Sequence, residues 1–144
     1  MMPQAKSLLS GCVVLALGTT LQTTAQSQPG SPAISIELNR IHSSDKGCQI
    51  TFVLKNDFTE NIEKASYEVV LFNKEGLVDR MTIFDFQSLP ASKTKVRQFD
   101  LKGTDCNRVS RILINGAKEC KVKNRMICSQ SLRLKNKTDI DFID

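Results

Sequence analysis

Ile34-Ser35-Ile36-Glu37-Leu38-Asn39 and Gln49-Ile50-Thr51-Phe52-Val53-Leu54 are the two stretches whose period decides the fold. Ile34, Ile36 and Leu38 alternate with polar residues, and Ile50, Phe52 and Leu54 recur at every second position in the same way. Successive side chains of an extended chain point to opposite faces, so a period of two buries one face of a strand. A helix would repeat at 3.6 residues instead. Ser43-Ser44-Asp45-Lys46-Gly47 reads as the turn between these strands, and Lys55-Asn56-Asp57 closes the second.

The pattern continues outward from this pair. Tyr67-Glu68-Val69-Val70-Leu71-Phe72 is apolar on both faces, which predicts a central strand. The polar connection before it leaves Ile62 to Ser66 room for a turn of helix at most. Asn73-Lys74-Glu75-Gly76 forms a hairpin loop whose glycine can take positive φ. The next strand, about Leu77 to Phe86, has a mixed phase: Val78, Phe84 and Phe86 share one face, while Met81 and Ile83 take the other. Leu89-Pro90-Ala91-Ser92 ends it. Within Lys93 to Leu101 the apolar phase shifts between Val96 and Phe99, which predicts a bulge. After a turn at Lys102-Gly103-Thr104-Asp105, Val109 to Asn115 forms a sixth strand with Ile112 and Ile114 inward. Leu132, Leu134, Ile140 and Phe142 share one parity and predict a seventh, broken at Asn136 to Asp139. Short strands with turn signals about every 8–12 residues predict an all-β, antiparallel β-sandwich of about seven strands over residues 33–144.

The first 25 residues read as a leader rather than as part of the fold. Lys6 is the only charge before Glu37, and an apolar run from Leu8 to Leu21 follows it. That run is shorter than the roughly 20 residues a membrane span needs and fits a signal-peptide core. Thr23-Thr24-Ala25 supplies small residues for cleavage after Ala25, and residues 26–32 form a polar tether. Leu9-Ser10-Gly11-Cys12 spells a lipobox, but the apolar run lies on the wrong side of Cys12 for an acylated anchor. No twin arginine precedes the run. The expected location is the periplasm or outside the cell, with no transmembrane segment in the mature chain.

Four cysteines remain after the leader: Cys48, Cys106, Cys120 and Cys128. An even count behind a signal peptide reads as two disulfides. Zinc ligands would be expected in pairs two to four residues apart, and a redox pair as Cys-x-x-Cys; neither spacing occurs. If successive strands run up and down, Cys48 and Cys106 fall at one end of the domain, and Cys120 and Cys128 at the other. A seven-residue strand separates the ends by roughly 23 Å, whereas bridged Cα atoms lie within about 7 Å. The favoured pairs are therefore Cys48–Cys106 and Cys120–Cys128.

Cys48 to Leu101 resembles the F-x-L-Y-D-type domains, immunoglobulin-like sandwiches of exported and envelope proteins. The likeness lies in Phe52-Val53-Leu54-Lys55-Asn56, Val69-Val70-Leu71-Phe72-Asn73-Lys74-Glu75-Gly76, Leu89-Pro90-Ala91-Ser92-Lys93-Thr94 and Phe99. Val69 replaces Phe, Phe72 replaces Tyr and Asn73 replaces Asp, so the naming motif survives only at Leu71 and in outline. The chain is also similar to small signal-peptide-bearing proteins exported by alphaproteobacteria. Those features are Cys48-x-x-x-Phe52, Gly76-x-Val78-Asp79-Arg80, Val96-Arg97-Gln98-Phe99-Asp100-Leu101 and the late Cys120 and Cys128. These resemblances imply fold and compartment, and carry over no activity or site.

Composition subtracts functions. The chain of 144 residues is 40% hydrophobic and 24% charged, so it folds around a core. Seven Phe, one Tyr and no Trp leave little aromatic surface for stacking bases or sugars. A single histidine, His42, excludes a His–His metal site within one chain. His42 beside Ser43 and Ser44 does not make a nucleophile–base pair, since adjacent residues seldom do, and it is expected in a solvated turn. Glu60 with Glu63, and Asp139 with Asp141, sit in polar segments without sugar platforms and do not read as glycosidase acids. Asp79, Arg80, Asp85 and Arg97 read as a surface ion-pair ladder. Asn136-Lys137-Thr138 is a glycosylation sequon by letters alone. No catalytic residue, metal ligand or cofactor is expected.

The best candidate site is basic: Lys118, Lys121, Lys123 and Arg125, presented together by a loop tied through Cys120 and Cys128. Such a cluster suits an envelope protein with an acidic surface or an anionic envelope polymer such as headgroup or lipopolysaccharide phosphates. Nucleic acid is not expected, because export removes the opportunity and no aromatic residue interleaves with the lysines. The chain thus reads as an exported, non-catalytic envelope binding or accessory module working through sheet edges and loops. The alternatives are a secreted hydrolase inhibitor acting through the Cys120–Cys128 loop, or a subunit of an envelope enzyme.

Overall fold

The computed structural model describes residues 30–123 and 127–144. The expected signal peptide, its cleavage after Ala25, Cys12, most of the tether and Arg125 lie outside the described residues. Eight strands appear among those described: β1 (Ile34–Ser44), β2 (Gly47–Asn56), β3 (Ile62–Asn73), β4 (Val78–Leu89), β5 (Thr94–Leu101), β6 (Val109–Lys121), β7 (Leu132–Asn136) and β8 (Asp141–Ile143). A 3-10 turn at Cys106–Arg108 precedes β6, and a single helical turn, α1 (Ile127–Gln130), precedes β7. The strands form two four-stranded sheets, ordered β5-β2-β1-β7 and β4-β3-β6-β8. No described helix is long and apolar enough to cross a membrane.

The alternating residues form the layer between the sheets. Ile34, Ile36, Leu38, Ile50, Phe52 and Leu54 from the first sheet are fully buried, as are Tyr67, Val69, Leu71 and Ile112 from the second. Phe52 sits at the centre of an aromatic cluster, with the rings of Phe84, Phe86, Phe99 and Phe142 at 5.8, 5.4, 6.1 and 5.8 Å. Phe residues spaced through the chain thus converge because strand parity turns each of them inward.

Both disulfides join the pairs that strand direction favours. Cys48 is bonded to Cys106 with a Cα separation of 5.0 Å, and Cys120 to Cys128 at 6.1 Å. The first ties the start of β2 to the turn before β6. The second ties the end of β6 to α1 and carries Ile127 and Cys128 into the core. Tyr67, buried from β3, donates its hydroxyl to the Cys128 carbonyl at 2.9 Å.

Several expectations are corrected. The sandwich is not antiparallel throughout: β7 runs parallel to β1, and β8 parallel to β6. These partners are far apart in the chain, so no tight turn dictates their direction. The expected seventh strand is indeed interrupted near Asn136, and its two pieces belong to different sheets. The bulge expected in β5 is absent, because pairing with β2 runs unbroken from Cys48↔Leu101 to Lys55↔Thr94. Val96 simply faces solvent while Phe99 faces the core. Ile62 to Ser66 is strand rather than helical turn, since Ile62 and Ala65 are buried and paired across to β4. β6 extends to Lys121, well beyond Asn115, with register shifts that absorb its polar, glycine-containing second half. His42 lies not in a turn but within β1, paired with Gln49 and half-buried.

Candidate functional site

The basic residues predicted as a site do not stand alone. Lys118 and Lys121 lie on β6 and Lys123 follows it. Lys118 Nζ is 3.1 Å from Glu68, Lys121 Nζ is 3.3 Å from Glu119, and Glu119 is also 2.8 Å from Lys64. Lys64 reaches Asp85 at 3.7 Å. Cross-strand parity explains this interleaving, because β3 sets Lys64 and Glu68 beside the β6 cations. The hydrogen bond from Lys64 holds the Glu119 carboxyl below its usual range, and the Asn115 amide, then Lys118, do so for Glu68. Two of the three described cations are therefore compensated locally. Lys121 and Lys123 also line an open depression of about 530 Å³ with Glu60, Asn61, Glu63 and Val122, a mixed-charge surface.

The other sequence candidates disperse. Asp141 pairs with Arg111 at 3.2 Å, away from Asp139, which is exposed. The Asn136 side chain is held by the Ile140 carbonyl and by the Thr138 backbone and hydroxyl. The expected Asp79–Arg80–Asp85–Arg97 ladder does not form. Arg80 donates to the Lys102 carbonyl at 2.8 Å, and Arg97 donates to the carbonyls of Phe86, Val96 and Ser88. Adjacent residues point to opposite faces and the two arginines lie on the edges of different sheets, so backbone oxygens are nearer than the acids. Among the described residues no group of three or more His, Cys, Asp or Glu side chains is placed to hold a metal.

A different surface emerges on the outer face of the second sheet. Met81 pairs with Val70, Val70 with Leu113, and Leu113 with Ile143, giving an apolar row across all four strands. Val78 and Phe72 lie one row away, and Ile83 lies on the other side. Val78, Met81 and Ile83 are 55%, 56% and 57% exposed, and all three belong to β4, the edge strand. Charged pairs border the row, Arg111–Asp141 on one side and Lys118–Glu68 on the other. Val70 is buried and Leu113 half-buried within the row, so its exposed apolar surface lies at Ile143 and above all on β4. Exposed apolar side chains rimmed by polar groups are the usual form of an interaction site.

This face was half legible. Tyr67 to Phe72 belongs to a central strand, as expected, with β3 between β4 and β6, and its outer face carries Val70, the buried middle of the row. Met81 and Ile83 appear in the sequence as residues out of phase with Phe84 and Phe86, and that was the available signal. Leu113 and Ile143 carry none, because their place beside Val70 depends on strand order and on a parallel pairing. The chain matches no protein-family model, no curated protein and no solved structure.

Proposed function

We propose that this chain is an exported, non-catalytic binding or accessory module of the cell envelope, acting in the periplasm or outside the cell by holding a partner protein. The observation that carries this reading is the apolar row Met81–Val70–Leu113–Ile143, in which Val70 is buried and Met81 and Ile143 are exposed at the two ends, with exposed Val78 and Ile83 beside Met81. A protein partner fits an apolar face with a charged rim better than a polyanion does, since Lys118 and Lys121 are already paired with carboxylates. Two disulfides support an oxidising compartment. An immunoglobulin-like type is supported by the strand order, in which β2 lies between β1 and β5 while β3 lies between β4 and β6.

The test is photo-crosslinking in producing cells from two positions, Ile83 on the apolar face and Lys123 on the basic loop. A discrete protein adduct from Ile83 and none from Lys123 is the expected result. Adducts from Lys123 alone would return the site to the Cys120–Cys128 loop and the inhibitor alternative. No adduct from either position would remove the partner-holding reading.

A further inference from the structure

Resting on that reading, we infer that the free edge of β4 accepts an extended segment of the partner protein by strand addition, and that this segment alternates apolar with acidic side chains. The backbone geometry carries the first half. Arg97, from β5 on the edge of the other sheet, donates Nε to the Phe86 carbonyl at 2.8 Å and Nη2 to the Ser88 carbonyl at 3.3 Å. The Phe86 carbonyl therefore faces away from β3. In an antiparallel strand, residues of one parity present both N–H and C=O to the same side. Pairing with β3 is uninterrupted from Arg80↔Leu71 to Asp85↔Ser66 and shifts register only at Gln87. Phe84 and Phe86 both face the core, so the alternation runs through Phe86, and Thr82 and Phe84 share its outward parity. Arg97 caps one end of this edge. Arg80 leaves β4 at the other end to reach the Lys102 carbonyl. Between the two arginines lies an open stretch of strand edge.

The side chains around that stretch specify what can pair with it. Residues of an added strand on the outer face would lie beside exposed Met81 and Ile83 and lengthen the apolar row. Residues on the other face would meet the side of the sandwich where β4 and β5 approach, closed below by Phe84 stacked on Phe99 at 4.0 Å. There Arg97 points inward from β5 at one end of the stretch, with Lys95 one inward position beyond it, and Arg80 points inward from β4 at the other end. None of the three belongs to any ion pair among the described residues. Cations facing one side and apolar side chains facing the other call for carboxylates and aliphatic groups at alternate positions. A second copy of this chain fits poorly. Two β4 edges paired about a two-fold axis would bring both sets of Arg80, Lys95 and Arg97 together, and like charges disfavour that union.

The probes are a short peptide alternating Val and Glu, its scrambled version, and one alternating Val and Lys. In the free protein the Thr82 and Phe84 amides exchange quickly with solvent; the Val/Glu peptide is expected to slow both and the other peptides neither. Thr82→Pro removes an outward N–H without touching the β3 ladder and should weaken that peptide by about tenfold or more. Lys95→Glu should reverse the preference toward the Val/Lys peptide. If T82P does not fold, Ile83→Lys, which places a charge on the exposed outer face, should give the same loss. Equal binding of the scrambled peptide, unchanged affinity in these variants, or no binding at all overturns strand addition. A dimer of the native protein that T82P abolishes assigns the edge to a second copy and likewise overturns it. Ile83 crosslinks that persist in T82P leave the partner reading standing without strand addition, whereas their absence from the native protein removes the partner reading itself.

Discussion

Asn56 has no exposed surface, and its amide donates to the carbonyls of Glu60 and Leu89 at 2.8 and 2.9 Å while accepting from the Phe58 amide at 3.0 Å. It satisfies the backbone where the chain crosses from the first sheet to the second. Asn56→Ala would orphan these groups in the interior and is expected to cost about 3 kcal/mol, read as a lower urea midpoint at unchanged m-value. Surface charges act more weakly and through pH. Lys55 lowers Asp57, first by a hydrogen bond, just as Asn115 and Lys64 lower Glu68 and Glu119. A carboxylate that holds its proton less tightly when folded stabilises the fold above its ordinary pKa and loses that contribution as pH falls through its lowered value. Melting temperature should therefore hold steady above about pH 5 and decline below about pH 4. Added salt should flatten the decline, since these groups are solvent-exposed. Lys64, raised chiefly by its hydrogen bond to Glu119, has the opposite sign: its contribution is complete below the ordinary lysine value and lost only in strong alkali.

At the scale of elements, the β1–β2 hairpin depends on one glycine. Gly47 has φ +115°, and a Cβ there would run into the Leu101 carbonyl of β5. Gly47→Ala combines a backbone conformation that L-residues avoid with a collision against the neighbouring strand. It is expected to cost at least about 2 kcal/mol, seen as lost amide protection in β5 as well as in the hairpin. The hairpin from β3 to β4 is less demanding. Gly76 has φ +79° with open space around it, and Asn73 Oδ1 holds the loop through the amides of Glu75 and Leu77. The late strands show how an element is split by its context. Leu132 to Phe142 keeps one parity, but the turn at Asn136 sends β7 to the edge beside β1 and β8 to the edge beside β6. One apolar pattern thus closes both sheets.

For the molecule as a whole, the two disulfides do unequal work. In the chain-entropy account a bridge stabilises by shrinking the unfolded ensemble, more so for a longer loop. With sequence separations of 58 and 8 residues, Cys48–Cys106 should contribute about 4 kcal/mol and Cys120–Cys128 about 2.5 kcal/mol. Replacing each pair by alanine and comparing denaturation curves checks the order; a larger loss from the short loop would mean that anchoring α1 in the core outweighs loop closure. The molecule is also asymmetric at its rims. The β4–β5 side presents Met81 and Ile83 over an arginine-capped edge, while the opposite rim is formed by the short strands β7 and β8. Short edges are one of the ways proteins prevent unwanted strand pairing, and the long edge left open is the one beside the apolar face.

The sequence by itself determined β2, the first half of β1, the Tyr67–Phe72 part of β3, the interruption near Asn136 and the disulfide partners. Each follows from local parity or from chain direction combined with the short reach of an S–S bond. Only tertiary structure decided the parallel joins of β7 and β8, the straight register of β5, the strand setting of His42 and the pairing of Lys118 and Lys121 with carboxylates. It also decided that Met81, Val70, Leu113 and Ile143 form one row. Parity tells each residue which face of its own strand it occupies. Which strand lies alongside, in what register and in which direction, is set by contacts between residues far apart in the chain, and those neighbours decide whether an apolar side chain is covered or left exposed.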